Sequence, residues 1–116
     1  MKSHQLIDQR SLAFGKAIAA RLVENPALID HARRNIARWL ETCSAGVRPA
    51  LLEWLVALDA GVPSVLALLT DTDERATRLR QSNPFAGVLP PHERNEILLR
   101  YEALDAEWGG PGDRRA

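Results

Sequence analysis

Apolar residues recur at spacings of three and four in this 116-residue chain, and the repeat is clearest over residues 26–42. There it comprises Leu28, Ile29, Ala32, Ile36, Trp39 and Leu40. A stripe with this period places one face of an α-helix against a core. No segment alternates polar and apolar residues with β-branched enrichment, so no sheet is expected. The sequence therefore predicts an all-α fold, a compact bundle of five to six short helices.

Turn residues divide the rest of the chain into further helices. The predicted ranges are 8–24, 26–42, 49–59, 64–69, 72–81 and 91–108. Asn25 is expected to cap the second helix, Gly61 to end the third and Asp71 to cap the fifth. One helical domain would span residues 1–108. Residues 109–116 would form a flexible C-terminal tail, because the run GGPG at 109–112 should end the last helix.

The expected core draws on the first three predicted helices. It contains Leu22, Ile36, Leu40, Leu55 and Leu58. The helix over 49–59 is apolar around much of its circumference, which is typical of a central helix.

Residue types and spacings give no support to catalysis or to a metal site. Cys43 is the only cysteine, and the histidines at 4, 31 and 92 are not at metal-ligand spacing from it or from one another. Phosphate-binding loops and known nucleophile or zinc motifs are absent from the sequence. We expect a non-enzymatic chain without metal or cofactor. Without a signal peptide or an apolar run that could span a bilayer, the expected location is the cytoplasm, with no membrane contact.

The formal net charge is zero, which argues against a dominant nucleic-acid binder. Residues 1–58 carry eight basic and five acidic side chains, whereas residues 59–116 carry seven and ten. This asymmetry is compatible with a homodimer or a protein partner. Arg33, Arg34 and Arg38 lie opposite the apolar face of the second helix. They are candidates for contact with nucleic-acid phosphates, although ion pairs with Asp30 and Glu41 are the more ordinary interpretation.

The stretch from residue 75 to residue 85 carries the candidate partner-binding site. Its members are Arg75, Arg78, Arg80, Gln81, Ser82, Asn83 and Phe85. Guanidinium groups, amides and an aromatic ring are common at protein interfaces. The alternative is that the polar residues cap a helix and Phe85 fills the core beneath the loop. The sequence leaves both interpretations open.

Five parts of the sequence together resemble a group of small bacterial proteins. They are RSLAF at residues 10–14, Trp39 in an arginine-rich helix, Trp54, LRQSNPFAGVL at 79–89, and Glu93-Arg94. The group is similar to antitoxins encoded beside a toxin gene, some of which contain a helix-turn-helix. The resemblance covers most of residues 8–100, and residues 79–89 are its specific part. It implies a cytoplasmic antitoxin that binds a cognate, toxin-like protein and, in some members, operator DNA.

Two other function classes stay open at this level. A dimeric DNA-binding regulator is the alternative, and a small hydrolase or transferase is the third. The helices at 49–59 and 64–69 have helix-turn-helix spacing, but the second of them offers no Arg, Asn or Gln to base edges. The helix over 72–81 would be the better reader of a DNA groove.

Overall fold

A computed structural model describes the backbone of residues 2–113 and the side chains of residues 5–103. Within this part the chain forms six α-helices, one 3₁₀ turn and no strand. The helices are α1 (Lys2–Glu24), α2 (Leu28–Leu40), α3 (Arg48–Ala60), α4 (Val62–Thr70), α5 (Glu74–Leu79) and α6 (Pro91–Asp113). The 3₁₀ turn, Arg80–Ser82, follows α5 directly. The predicted all-α bundle is confirmed.

The predicted helix ends are right at some boundaries and wrong at others. Gly61 ends α3 with a φ of 115°, a conformation that favours glycine. Asn25 does not cap α2 with its side chain. Instead, its backbone carbonyl accepts a hydrogen bond from the Leu28 amide at 3.0 Å, and α2 begins two residues later than predicted. The helix α6 continues through residues 109–113, past the predicted end. Residues 114–116 of the predicted tail lie outside the described part.

The cap of α5 is Asp73, not Asp71. The Asp73 Oδ1 atom accepts a hydrogen bond from the Ala76 amide at 2.7 Å. Asp71 instead closes the C-terminus of α4, where its amide donates to the Ala67 carbonyl. Both aspartates precede an acidic first turn, so the sequence pattern fitted either register. Because α4 extends to Thr70, Asp71 is the residue that ends α4, and Asp73 is the aspartate that caps α5.

The core forms where α1 packs on α4 and α6, with α3 between α2 and α4. Trp54 of α3 is fully buried, and its indole Nε1 donates to the Leu79 carbonyl at 2.8 Å. Leu22, Ile36 and Leu58 are buried as expected. Leu40 and Leu55 were wrongly assigned to the interior, because both are only partly buried and pack against its edge. The predicted core omitted Trp54, which is buried more deeply than its neighbour Leu55 on the same helix.

The contact between α1 and α4 depends on a residue without a side chain. A Cβ atom on Gly15 would overlap the carbonyl oxygen of Leu69, and it would also crowd the Arg80 side chain. The two helix backbones therefore meet at a distance that only glycine permits. This close approach sets the position of α1 relative to the α4–α5 connection.

Candidate functional site

The first two arginines of the predicted partner site both bind a carboxylate of the same chain. Arg75 Nε lies 3.2 Å from Glu53 Oε1, and Arg78 Nη1 lies 3.1 Å from Glu53 Oε2. The hydrogen bond from Arg78 lowers the pKa of Glu53 most; desolvation opposes it, and the hydrogen bond from Arg75 adds to the lowering. Both arginine side chains remain about half exposed. They join α5 to α3 at the surface.

Arg80, by contrast, is an interior residue with 4% of its surface exposed. Its Nη1 donates to the carbonyls of Leu68 and Asp71, at 2.8 Å and 2.7 Å. These acceptors belong to the C-terminal end of α4, where carbonyls lack helical partners and the helix dipole is negative. Burial lowers the pKa of Arg80, and the charges of Asp71, Asp73 and Asp8 raise it. Arg80 thus secures the end of α4 and offers no exposed surface to a partner.

Phe85 is buried as well, with 1% exposure. Its ring meets Trp54 edge to face, with centroids 6.3 Å apart and planes inclined at 73°. The side chain of Asn83 accepts a hydrogen bond from the Phe85 amide at 2.9 Å and so shapes the turn before the ring. For Phe85 the core-filling alternative is the one observed. This burial leaves Phe85 with almost no exposed surface of its own for a partner.

Two polar residues of α2 that are not among the predicted site residues hold the 83–90 loop in place. The buried Asn35 Nδ2 donates to the Pro84 carbonyl at 2.9 Å and to the Ala86 carbonyl at 3.2 Å. His31 Nε2 lies 2.7 Å from the same Ala86 oxygen. His31 and Asn35 are four residues apart and therefore share a helix face. In the sequence, this four-residue spacing is the one feature that indicates a shared role for His31 and Asn35.

The arginines of α2 are largely engaged within the chain. Arg33 Nη1 lies 2.7 Å from Asp59 Oδ1 on α3. Arg38 Nη2 donates to Asn35 Oδ1 at 2.7 Å. The expected partners Asp30 and Glu41 form no ion pair with the described side chains. Arg34 and Arg38 are both exposed and form no ion pair with the described side chains, so two of the three predicted phosphate contacts keep an uncompensated charge.

An open groove of about 400 Å³ lies between α1, the 83–90 loop and the first turns of α6. Its polar lining comes from Arg10, Ser11, Gln81, Asn83 and Arg94, with Arg80 at its inner edge. Its apolar lining comes from Phe14, Ile18, Phe85, Leu89 and Leu98. We call it the arginine groove. Gln81 Nε2 donates to Ser11 Oγ at 3.2 Å across it, which ties the 3₁₀ turn to α1.

The groove gathers parts of the chain that are distant in sequence. Arg10, Ser11 and Phe14 come from the segment RSLAF, while Gln81, Asn83 and Phe85 come from the segment 79–89. Arg94 comes from the pair Glu93-Arg94. The sequence analysis named Gln81, Ser82 and Asn83 as site residues but missed Arg10, Ser11 and Arg94. Their presence in the resemblance pattern was the signal that could have found them.

Other classes of site find no support in the described residues. No group of three His, Cys, Asp or Glu side chains among residues 5–103 could hold a metal ion. Over the same part of the chain, no helix is both long and apolar enough to cross a membrane. Cys43 is partly buried against the core and unpaired. No protein-family model, curated protein or solved structure matches this chain.

Proposed function

We propose that this chain is a non-enzymatic, antitoxin-like interaction protein that binds and neutralises a cognate protein partner through the arginine groove. The observation that carries the proposal is the convergence of exposed polar side chains from three separate parts of the chain on one groove. Arg10, Gln81 and Arg94 are exposed and line the same concavity.

The side chains of this groove suit a protein surface. Arg10 and Arg94 are exposed, and neither forms an ion pair with any of the described side chains. Arginine is one of the residue types enriched among the side chains that contribute most of the binding energy at protein interfaces. Beneath them the loop is held by Asn35 and Phe85, so little ordering is needed on binding.

The DNA-binding alternative has less support. Arg33 is paired with Asp59, and α4, the second helix of the helix-turn-helix-like pair, is apolar. A regulator would need several unpaired cations arranged along one face. Operator DNA and a homodimer therefore remain outcomes that the experiment must separate from the protein partner.

The test uses the protein encoded by the gene adjacent to that of this chain. We expect its expression to arrest growth, co-expression of this chain to restore growth, and the two proteins to copurify. Arg10→Glu with Arg94→Glu should abolish rescue and copurification while the melting temperature stays within a few degrees of wild type. Lys16→Glu with Arg100→Glu is the matched control, since it changes the same helices and the same total charge outside the groove.

Loss of rescue in the groove variant alone supports the proposal. Equal rescue by both variants would place the interface elsewhere. If the protein of the adjacent gene does not arrest growth and does not bind this chain, the proposed antitoxin-like function is wrong.

A further inference from the structure

The arginine groove differs in its charge from two further concavities on the described surface. Three arginines line it, and no aspartate or glutamate does. The groove between α1 and α6 is lined by Lys16 and Arg100 but also by Glu93 and Glu96. The concavity beside α5 combines Arg75 with Asp71 and Asp73. In a chain with fifteen basic and fifteen acidic residues, the arginine groove is the one of these three surfaces whose charged lining has a single sign.

Two of the three arginines are available to a ligand. Arg80 is already bonded to carbonyls of α4, and its Nε is fully buried. Arg10 and Arg94 are exposed, and they project from different helices that border the groove. A guanidinium group matches the geometry of a carboxylate through paired N–H donors. The available charge is therefore positive and lies at the rim.

The floor of the groove is apolar. Phe14 and Leu98 are partly buried and line it, above the buried Ile18 and Phe85. A volume of about 400 Å³ is near the lower end of ligand sites, which accommodates one or two side chains rather than a long polymer. Two accessible cations would also give only weak counterion release from a nucleic acid.

We infer that the arginine groove recognises a partner segment in which an acidic side chain is adjacent to a large apolar one. The carboxylate binds Arg10 and Arg94, and the apolar side chain packs on Phe14 and Leu98. This inference rests on the proposed function, because that function supplies the protein partner that carries the segment. The preference of the groove for such a segment can be measured without the partner.

The probes are two dipeptides, N-acetyl-Phe-Glu-amide and its neutral isostere N-acetyl-Phe-Gln-amide, titrated into the ¹⁵N-labelled full chain. We expect the Glu peptide to shift the backbone amides of Gln81, Asn83, Ala86 and Gly87. Its Kd should be lower than that of the Gln peptide by about tenfold, since a charge-assisted hydrogen bond contributes at least that factor. Arg10→Gln with Arg94→Gln should remove the difference, whereas Lys16→Gln with Arg100→Gln should keep it.

Several results would overturn the inference. Equal binding of the two dipeptides, shifts outside the groove, or no shifts at millimolar peptide would each do so. Inorganic phosphate that binds as tightly as the Glu peptide would show that the groove takes any anion and that its floor contributes nothing. Groove shifts that appear on raising the protein concentration alone would identify a second copy of the chain as the occupant.

The two proposals fail separately. If Arg10→Glu with Arg94→Glu abolishes copurification but the dipeptides do not bind, the proposed function stands and the acidic–apolar recognition is wrong. If the Glu peptide binds preferentially but the neighbouring protein does not, the recognition stands and the antitoxin-like role is wrong. Should the double Gln variant fail to fold, the comparison of the two peptides on the wild-type chain still decides.

Discussion

The side-chain amide of Asn35 donates a hydrogen bond to the backbone carbonyl of Pro84 at 2.9 Å, across 49 positions of sequence. Asn35 is 5% exposed, and Pro84 is fully buried. A buried carbonyl without a donor is costly, so this bond fixes where the 83–90 loop crosses α2. The same amide reaches the Ala86 carbonyl, and thus one side chain sets two points of the loop that borders the arginine groove.

Replacing this amide should loosen the loop. Asn35→Ala leaves the Pro84 carbonyl unsatisfied, which we expect to cost about 1–3 kcal/mol. Denaturant unfolding measures this loss, and faster hydrogen exchange at the Phe85 and Val88 amides should accompany it. Asn95→Ala, at an exposed site of α6, is the control and should stay within about 0.5 kcal/mol of wild type. Similar losses in both variants would contradict the anchoring role.

Phe85 should act on stability and not on binding chemistry. Phe85→Ala removes a fully buried ring and its edge-to-face contact with Trp54, with an expected cost of about 3–5 kcal/mol. Chemical denaturation gives the cost, and near-ultraviolet circular dichroism reports the changed surroundings of Trp54. Phe85→Leu keeps most of the volume and should lose less. An unfolding midpoint unchanged in Phe85→Ala would mean that the ring is not part of the core.

The two aspartates before α5 provide a matched pair. Asp73→Ala removes the carboxylate that accepts from the Ala76 amide and should cost about 1 kcal/mol. Asp71→Ala should cost less, because Asp71 accepts from Arg80 through its backbone carbonyl, which the substitution keeps. Thermal unfolding and exchange protection over residues 74–79 are the measurements. A larger effect at Asp71 would restore the cap position predicted from sequence.

Gly15 should tolerate no side chain. Alanine favours helices over glycine by about 1 kcal/mol, yet a Cβ here would overlap the Leu69 carbonyl oxygen, which no side-chain rotation relieves. Gly15→Ala should therefore lower stability, by about 1–3 kcal/mol or more. Gly46→Ala is the control, since a Cβ there meets nothing closer than 3.9 Å. A Gly15→Ala variant as stable as wild type would show that α1 and α4 are not in close backbone contact.

The ion pairs of Glu53 predict a specific acid sensitivity. Arg78 and Arg75 lower the pKa of Glu53 in the folded state. The ionised carboxylate therefore stabilises the fold at pH values above the pKa of Glu in the unfolded chain, about 4.3. That contribution disappears as the pH falls through the folded pKa. Wild type should thus exceed Glu53→Gln in melting temperature at neutral pH, and the gap should close below about pH 4. Glu41→Gln, at an exposed site without an ion pair to the described side chains, should show no such convergence.

Local sequence determined the helices of this protein. The three-and-four spacing of α2 and the glycine at 61 act over a few residues, so their effects could be predicted from the sequence alone. The resemblance marked out residues 79–89 for the same reason, as one continuous block. The sequence could not predict which side chains of residues 79–89 face outward. Arg80 and Phe85 are buried by contacts with α3, α4 and the α4–α5 connection, which are distant parts of the fold.

Only the tertiary structure decided the site. Arg10 lies far in sequence from Gln81 and Arg94, and the three come together because α1 approaches α4 at Gly15 and packs along α6. Asn35 joins α2 to the loop in the same long-range way. Such contacts depend on how helices pack, and no periodicity within one helix encodes which other helix it will meet. Local sequence therefore determined where most of the helices lie, whereas helix packing selected Asp73 over Asp71 as a cap and assembled the groove that is the candidate site.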